Sequence, residues 1–143
     1  MTIQIILDRK GGEVFTISAD ATIKNAVDQM HKRDVAALIV KSGDDTLGIV
    51  SERDVVGAVS RLGERALTTL VKDVFVATKI ALRPEDSITR AMRAMTLHRL
   101  RHLPVVRNQK LVGIVSIGDV VKHRVEDLET ETNVLRDLSI ARR

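Results

Sequence analysis

The sequence predicts a mixed α/β (α+β) chain: two tandem β-α-β-β-α repeats packed as a pseudo-twofold pair, with an extended C-terminal helix. Three observations carry this expectation. The frame GIVSERDVV at Gly48–Val56 returns as GIVSIGDVV at Gly113–Val121, with seven of nine letters unchanged. Sliding the chain by 65 places aligns Ile17–Val56 with Leu82–Val121 without a gap, and twelve of the forty pairs are identical, including Ile23/Ile88, Ala26/Ala91, Met30/Met95 and Asp54/Asp119. Within each copy the apolar spacing runs through strand, helix, two strands and helix in the same order. The period is too long and the copies too few for a solenoid, so the chain reads as two copies of one small unit.

Each unit starts with a strand-like segment, VFTI or KIAL, followed by a polar turn and helix start, SADAT or RPEDS. Ile23, Ala26, Val27 and Met30, like Ile88, Ala91, Met92 and Met95, then follow the i, i+3, i+4, i+7 spacing of an amphipathic helix. The two methionines are read as core. Two short β-rich runs follow, AALIV and LGIV, or HLPVV and LVGIV, with SGDDT or RNQK between them. That is a hairpin pattern. Ser51 and Ser116 open the second helix of each unit. Residues 57–75 read as a helical connector with a break at Gly63. The last helix continues beyond Val121, because Val121, Val125, Leu128, Thr132 and Leu135 are spaced 4, 3, 4 and 3, a seam that seeks a partner. About forty residues bury a sheet poorly alone, so the copies should pair, as one domain over 1–65 and a second with its helical extension over 66–143.

Composition narrows the function. Phe15 and Phe75 are the only aromatic residues, so no base-stacking surface is available. The chain has no cysteine, which excludes disulfides, thiolate metal sites and cysteine nucleophiles. The first residues, MTIQIILDRKGGEV, are too short and polar for a signal peptide, and no run approaches a membrane span. A cytoplasmic protein without a membrane partner is expected. Net charge is +4, but Ile17–Val56 carries five Lys/Arg against seven Asp/Glu while Leu82–Val121 carries seven against three, so the basic excess belongs to the second copy.

In the repeated frame a strand delivers the chain to a serine, and an aspartate follows three residues later. One reading is an N-cap and capping box. The other is a ligand site: helix N-terminal N–H groups and a serine hydroxyl suit a phosphate, and a carboxylate suits the two hydroxyls of a ribose. For Asp54 and Asp119 the two readings compete.

The duplicated β-α-β-β-α plan, the Gly-x-x-Ser-x-x-Asp ends and the HLPVV strand resemble a pair of CBS (cystathionine-β-synthase) domains over roughly Glu13 to His123. The resemblance implies a disc-like module with two clefts that bind adenosyl nucleotides. It implies ribose on Asp54 and Asp119 and phosphate on Ser51 and Ser116, with Arg53 and Thr16 as further contacts. It also implies base or phosphate contacts just before the second strand, at Ala36 and Ala37 in one copy and Arg101 and His102 in the other. The first copy departs from the pattern in having Ile39 where the second has Pro104.

The expectation is therefore a stand-alone, non-catalytic regulatory protein. It binds AMP, ADP, ATP or NAD(H), forms a homodimer, and signals by a change of shape to an unidentified client. S-adenosylmethionine binding, nucleic-acid binding suggested by the basic charge, and a structural dimer with vestigial pockets are the alternatives. His98 and His102 are four apart but have no acidic third ligand, so a surface or phosphate-facing role is expected rather than metal. Gly11 and Gly12 read as a turn, since neither GxGxxG nor GxxxxGK[ST] occurs.

Overall fold

The computed structural model describes residues 1–11, 14–77 and 80–141. Its elements are α1 (Ile3–Lys10), β1 (Thr16–Ser18), α2 (Ile23–Arg33), β2 (Ala37–Ser42), β3 (Asp45–Ser51), α3 (Glu52–Leu62), β4 (Val76–Ala77), α4 (Ile88–His98), β5 (His102–Arg107), β6 (Lys110–Ser116) and α5 (Ile117–Ala141). The β-α-β-β-α plan is present, and α5 runs for 25 residues. Gly12 of the proposed turn, the Glu13 boundary and Lys79 of the KIAL segment lie outside the described residues.

The helix starts are set by their caps. Thr22 accepts from the Asn25 N–H at 3.2 Å and Ser87 from the Arg90 N–H at 3.0 Å, satisfying one free donor in each first turn. Both helices stop the same way: Asp34 and Arg99 adopt left-handed backbone, with φ of 54° and 55°. This turns the chain back from the helix axis into β2 or β5. Helix α3 ends at Gly63, where φ is 60°, and two 3-10 turns, Gly63–Thr68 and Val71–Asp73, form the connector.

The strands form a four-stranded sheet in the order β1-β2-β3-β4 and a two-stranded sheet β5-β6. In the first, β1 is parallel to β2, with Ile17 opposite Val40. In the second copy the described residues keep a single bridge of that strand, between Leu82 and Val105, at the equivalent register. Two cores lie under the helices. One gathers Ile17, Ile23, Ala26, Met30, Leu38, Val40, Val50 and Val71. The other gathers Leu82, Ile88, Ala91, Met95, Leu103, Val105, Val115 and Val120. A third, smaller layer of Ala37, Ile39 and Ile49, with Val14, Leu111 and Ile114 packed against it, joins the two repeats sheet to sheet.

Helix α1 was not foreseen from the sequence. Its Ile3, Ile6 and Leu7 are buried in the core of the second repeat, although the helix precedes the first. The backbone shows why. The Ile3 N–H donates to the Asp86 carbonyl and the Ile88 N–H to the Met1 carbonyl. In the first repeat the Val71 N–H donates to the Ala21 carbonyl and the Ile23 N–H to the Thr69 carbonyl, residue for residue the same arrangement. Each repeat is thus completed by a segment from outside its strand–helix block: the first by the connector, the second by the N-terminal helix.

Candidate functional site

The capping box, one of the two readings of each repeated frame, is formed. At the start of α3 the Asp54 N–H donates to the Ser51 hydroxyl, while Asp54 Oδ2 accepts the Ser51 N–H at 2.8 Å and the Ser51 hydroxyl at 3.0 Å. At the start of α5 the Asp119 N–H donates to the Ser116 hydroxyl at 3.1 Å and Asp119 Oδ2 accepts the Ser116 N–H at 2.9 Å. Capping therefore engages one oxygen of each carboxylate. An ionised carboxylate offers about four lone-pair sites, so a second role stays open to both.

A cleft of about 360 Å³ lies at the Asp54 capping box. Ala36, Ile49, Ser51, Glu52, Arg53 and Asp54 form one wall, and Arg99, Leu100, Arg101 and His102 of the other repeat form the opposite wall. The grouping differs from the simplest reading of the sequence, which set Arg101 and His102 beside Asp119 of their own copy. The pseudo-twofold packing brings the loop before β5 across to α3, so Arg99 and Arg101 of the second copy share a cleft with Asp54 of the first. The left-handed cap at Arg99 makes that crossing possible, and Arg99, Arg101 and Arg53 are all exposed there.

Of the other expected residues, Ala37 is buried between the sheets and Thr16 sits exposed on β1, neither of them lining this cleft. Glu52, Arg99 and Leu100 line it without having been singled out from the sequence. The Glu52 N–H donates to the Ala36 carbonyl at 3.0 Å, and the Ile117 N–H donates to the Arg101 carbonyl at 2.8 Å. Each helix start is thereby tied to the residue before the strand at its side. Larger grooves lie between α2 and α3, about 540 Å³, and beside Leu82 and Arg107, about 520 Å³. Neither holds a Ser–Asp pair.

His102 is half-buried at the junction of the repeats. Burial holds its imidazole below the ordinary value of 6.5 and the Lys10 ammonium pushes the same way, against Asp119, Glu52 and Asp54. Asp119 contacts Lys10 Nζ at 2.8 Å. Burial raises the Asp119 carboxyl, but the bonds from Lys10 and Ser116 outweigh burial and hold it below its ordinary value. Among the described residues no group of three or more His, Cys, Asp or Glu side chains is placed to hold a metal ion. Nor is any helix among them long and apolar enough to cross a membrane.

The CBS domain model matches the chain twice, over residues 8–61 and 71–126. The chain is 34% identical over 139 residues to the mitochondrial CBS domain-containing protein CBSX3 of Arabidopsis thaliana, covering 91% of this chain and 68% of that one. It superposes on the crystal structure of the CBS-domain containing protein ATU1752 from Agrobacterium tumefaciens with a TM-score of 0.83 at 36% identity, covering 87% and 99% of the two chains. The fold also matches CBSX2 in complex with AMP, with a TM-score of 0.68 at 20% identity over 87% and 96% of the chains.

Proposed function

The chain belongs to the CBS-domain family, and from that premise we propose that it is a regulatory module that binds an adenine nucleotide at the Asp54 cleft. The observation that carries this reading is the composition of that cleft. A carboxylate with one oxygen uncommitted stands beside a serine at a helix start, opposite the exposed guanidinium groups of Arg99 and Arg101. A ribose donates its hydroxyls to Asp54, and phosphates meet Arg53, Arg99 and Arg101. The Ala36 methyl and Ile49 offer an apolar edge to the base. The AMP complex of the CBSX2 protein supports the choice of adenine. AMP, ADP, ATP and the adenosine half of NAD(H) all fit this chemistry, and so does S-adenosylmethionine apart from its lack of phosphate.

The module works without a reaction of its own. Because the cleft has one wall from each repeat, a bound nucleotide favours one relative orientation, by as much as its affinity differs between the two states. The output passes to a client protein in the cytoplasm, and two chains associate through the exposed stripe of α5. The first unit is taken as residues 1–65 and the second as 66–143, with α1 contributing to the second core. One observation favours a second reading, a structural dimer with vestigial pockets: both aspartates are already used in capping.

Isothermal titration with AMP, ADP, ATP, NADH and S-adenosylmethionine separates the two. At least one nucleotide should bind, and Asp54→Ala should weaken it roughly ten- to hundredfold, the value of a charge-assisted bond of ~1.5–3 kcal/mol. Binding of none by the wild-type protein at millimolar ligand would overturn nucleotide binding at the Asp54 cleft.

A further inference from the structure

We propose that Lys10 is a built-in occupant of the Asp119 site, a tethered cation that closes it to nucleotide until it is displaced. The proposal rests on the nucleotide reading above and concerns how its two sites differ. In the open cleft Ile49 and Asp54 form part of one wall. Their counterparts one repeat later are Ile114 and Asp119. Lys10 Nζ donates to both, at 3.1 Å to the Ile114 carbonyl and at 2.8 Å to Asp119 Oδ2. The ammonium thus bonds the counterparts of two residues that line the open site.

Lys10 is held there by the fold. It ends α1, whose Ile3 and Ile6 are fully buried, and the preceding Arg9 pairs with Glu126 of α5. A charge delivered by a docked helix acts at high effective concentration, so a free ligand competes against it at a disadvantage. Ribose hydroxyls are neutral donors and replace an ammonium on a carboxylate poorly. The low carboxyl value of Asp119 agrees with a resident cation. The first repeat has no such device among the described residues. Its completing segment carries Lys72, which pairs with Asp20 at 3.4 Å, and the hydrogen bonds to the Asp54 carboxylate come from Ser51.

Two consequences follow from this geometry. Nucleotide enters the Asp54 cleft first, and entry at Asp119 requires the end of α1 to let go. Release of Lys10 removes one of two ion pairs that join α1 to α5. Occupancy of the Asp119 site is thereby linked to the helix that carries the exposed apolar stripe.

The test compares wild-type protein with Lys10→Met, which keeps the apolar stem, and with Lys10→Arg, which keeps the charge. Titrated calorimetrically with ATP, wild-type and Lys10→Arg proteins should bind one nucleotide per chain. Lys10→Met should bind two, the second at least tenfold more tightly than any second event in wild type, and Asp119→Ala in that background should abolish it. In ligand-free protein, carboxyl carbon NMR should show the Asp119 titration moving up in Lys10→Met. An unmoved titration overturns the ion pair, whatever the nucleotide result. Binding of the same non-zero number of nucleotides by all variants, or weaker ATP binding at Asp119 in Lys10→Met, overturns the closure while leaving the nucleotide reading intact; the second outcome would make Lys10 a phosphate ligand. Binding to Lys10→Met alone supports the closure and removes the Asp54 site. No binding by any variant overturns the closure and the nucleotide reading together.

Discussion

Leu7 and Gly113 are in contact: a β-carbon built on Gly113 would stand 2.5 Å from Leu7 Cδ2. The glycine of the second repeated frame is where the N-terminal helix comes down on β6. Gly113→Ala should therefore destabilise the fold by about 1–3 kcal/mol through overpacking. Leu7→Ala should relieve part of that loss, so the double variant should be more stable than the sum of the single ones implies. Urea denaturation of the four proteins measures the coupling, and strict additivity would show that the contact is not tight.

Much of this was legible in the sequence, and the unread parts have identifiable causes. The frame at Gly48–Val56 and Gly113–Val121 carried the duplication, the two capping boxes and the helix starts, because those depend on residues close together along the chain. Helix α1 was missed although Ile3, Ile6 and Leu7 have helical spacing. The segment is short, and its counterpart near Val71 matches it in backbone bonding rather than in letters. The partnership of Arg101 with Asp54 was also missed. Repetition along the chain makes Asp54 and Asp119 equivalent, but only the packing of the repeats makes Arg101 a neighbour of Asp54.

Arg101 distinguishes phosphate from base recognition in the cleft. Arg101→Ala should weaken ATP by roughly tenfold or more, in line with loss of a charge-assisted bond, and adenosine hardly at all. Calorimetry with both ligands decides it: equal losses would mean that the guanidinium faces solvent and takes no part.

His102 makes stability depend on pH in a definite direction. Its folded-state value lies below the ordinary 6.5, chiefly through burial and then through Lys10, against the opposing Asp119, Glu52 and Asp54. The unfolded chain thus binds the proton first as pH falls. The stability due to the neutral imidazole is complete above 6.5 and is lost as pH drops from there towards the folded value. Asp119 acts in a separate window: its contribution is complete above 3.8 and is lost as pH falls through its lowered folded value. Tm should decline from about pH 7 to about pH 5 in wild type and decline less in His102→Asn, with linkage setting the sign. Parallel profiles for the two proteins would assign the slope to other groups.

The stripe on α5 predicts association. Val121, Val125 and Leu128 are each nearly half exposed and Leu135 is 67% exposed, an apolar row that favours a partner helix. Light scattering should give a dimer at micromolar concentration, and Val125→Asp with Leu128→Asp should give a monomer of unchanged helix content. A monomeric wild type would remove the proposed role of α5.

The exchange of completing segments has a consequence for biosynthesis. Helix α1 leaves the ribosome before β5 and β6 exist, so Ile3 and Ile6 have nothing to bury against until the second repeat follows. The first repeat waits only for the connector immediately behind it, because Thr69 and Val71 supply its missing bonds. The expected order is that the earlier repeat closes on the nascent chain while α1 stays unseated, and the later repeat then recruits it. Protease challenge of stalled nascent chains should find α1 cleavable after the first repeat has become resistant. Protection of both at the same chain length would reverse the order.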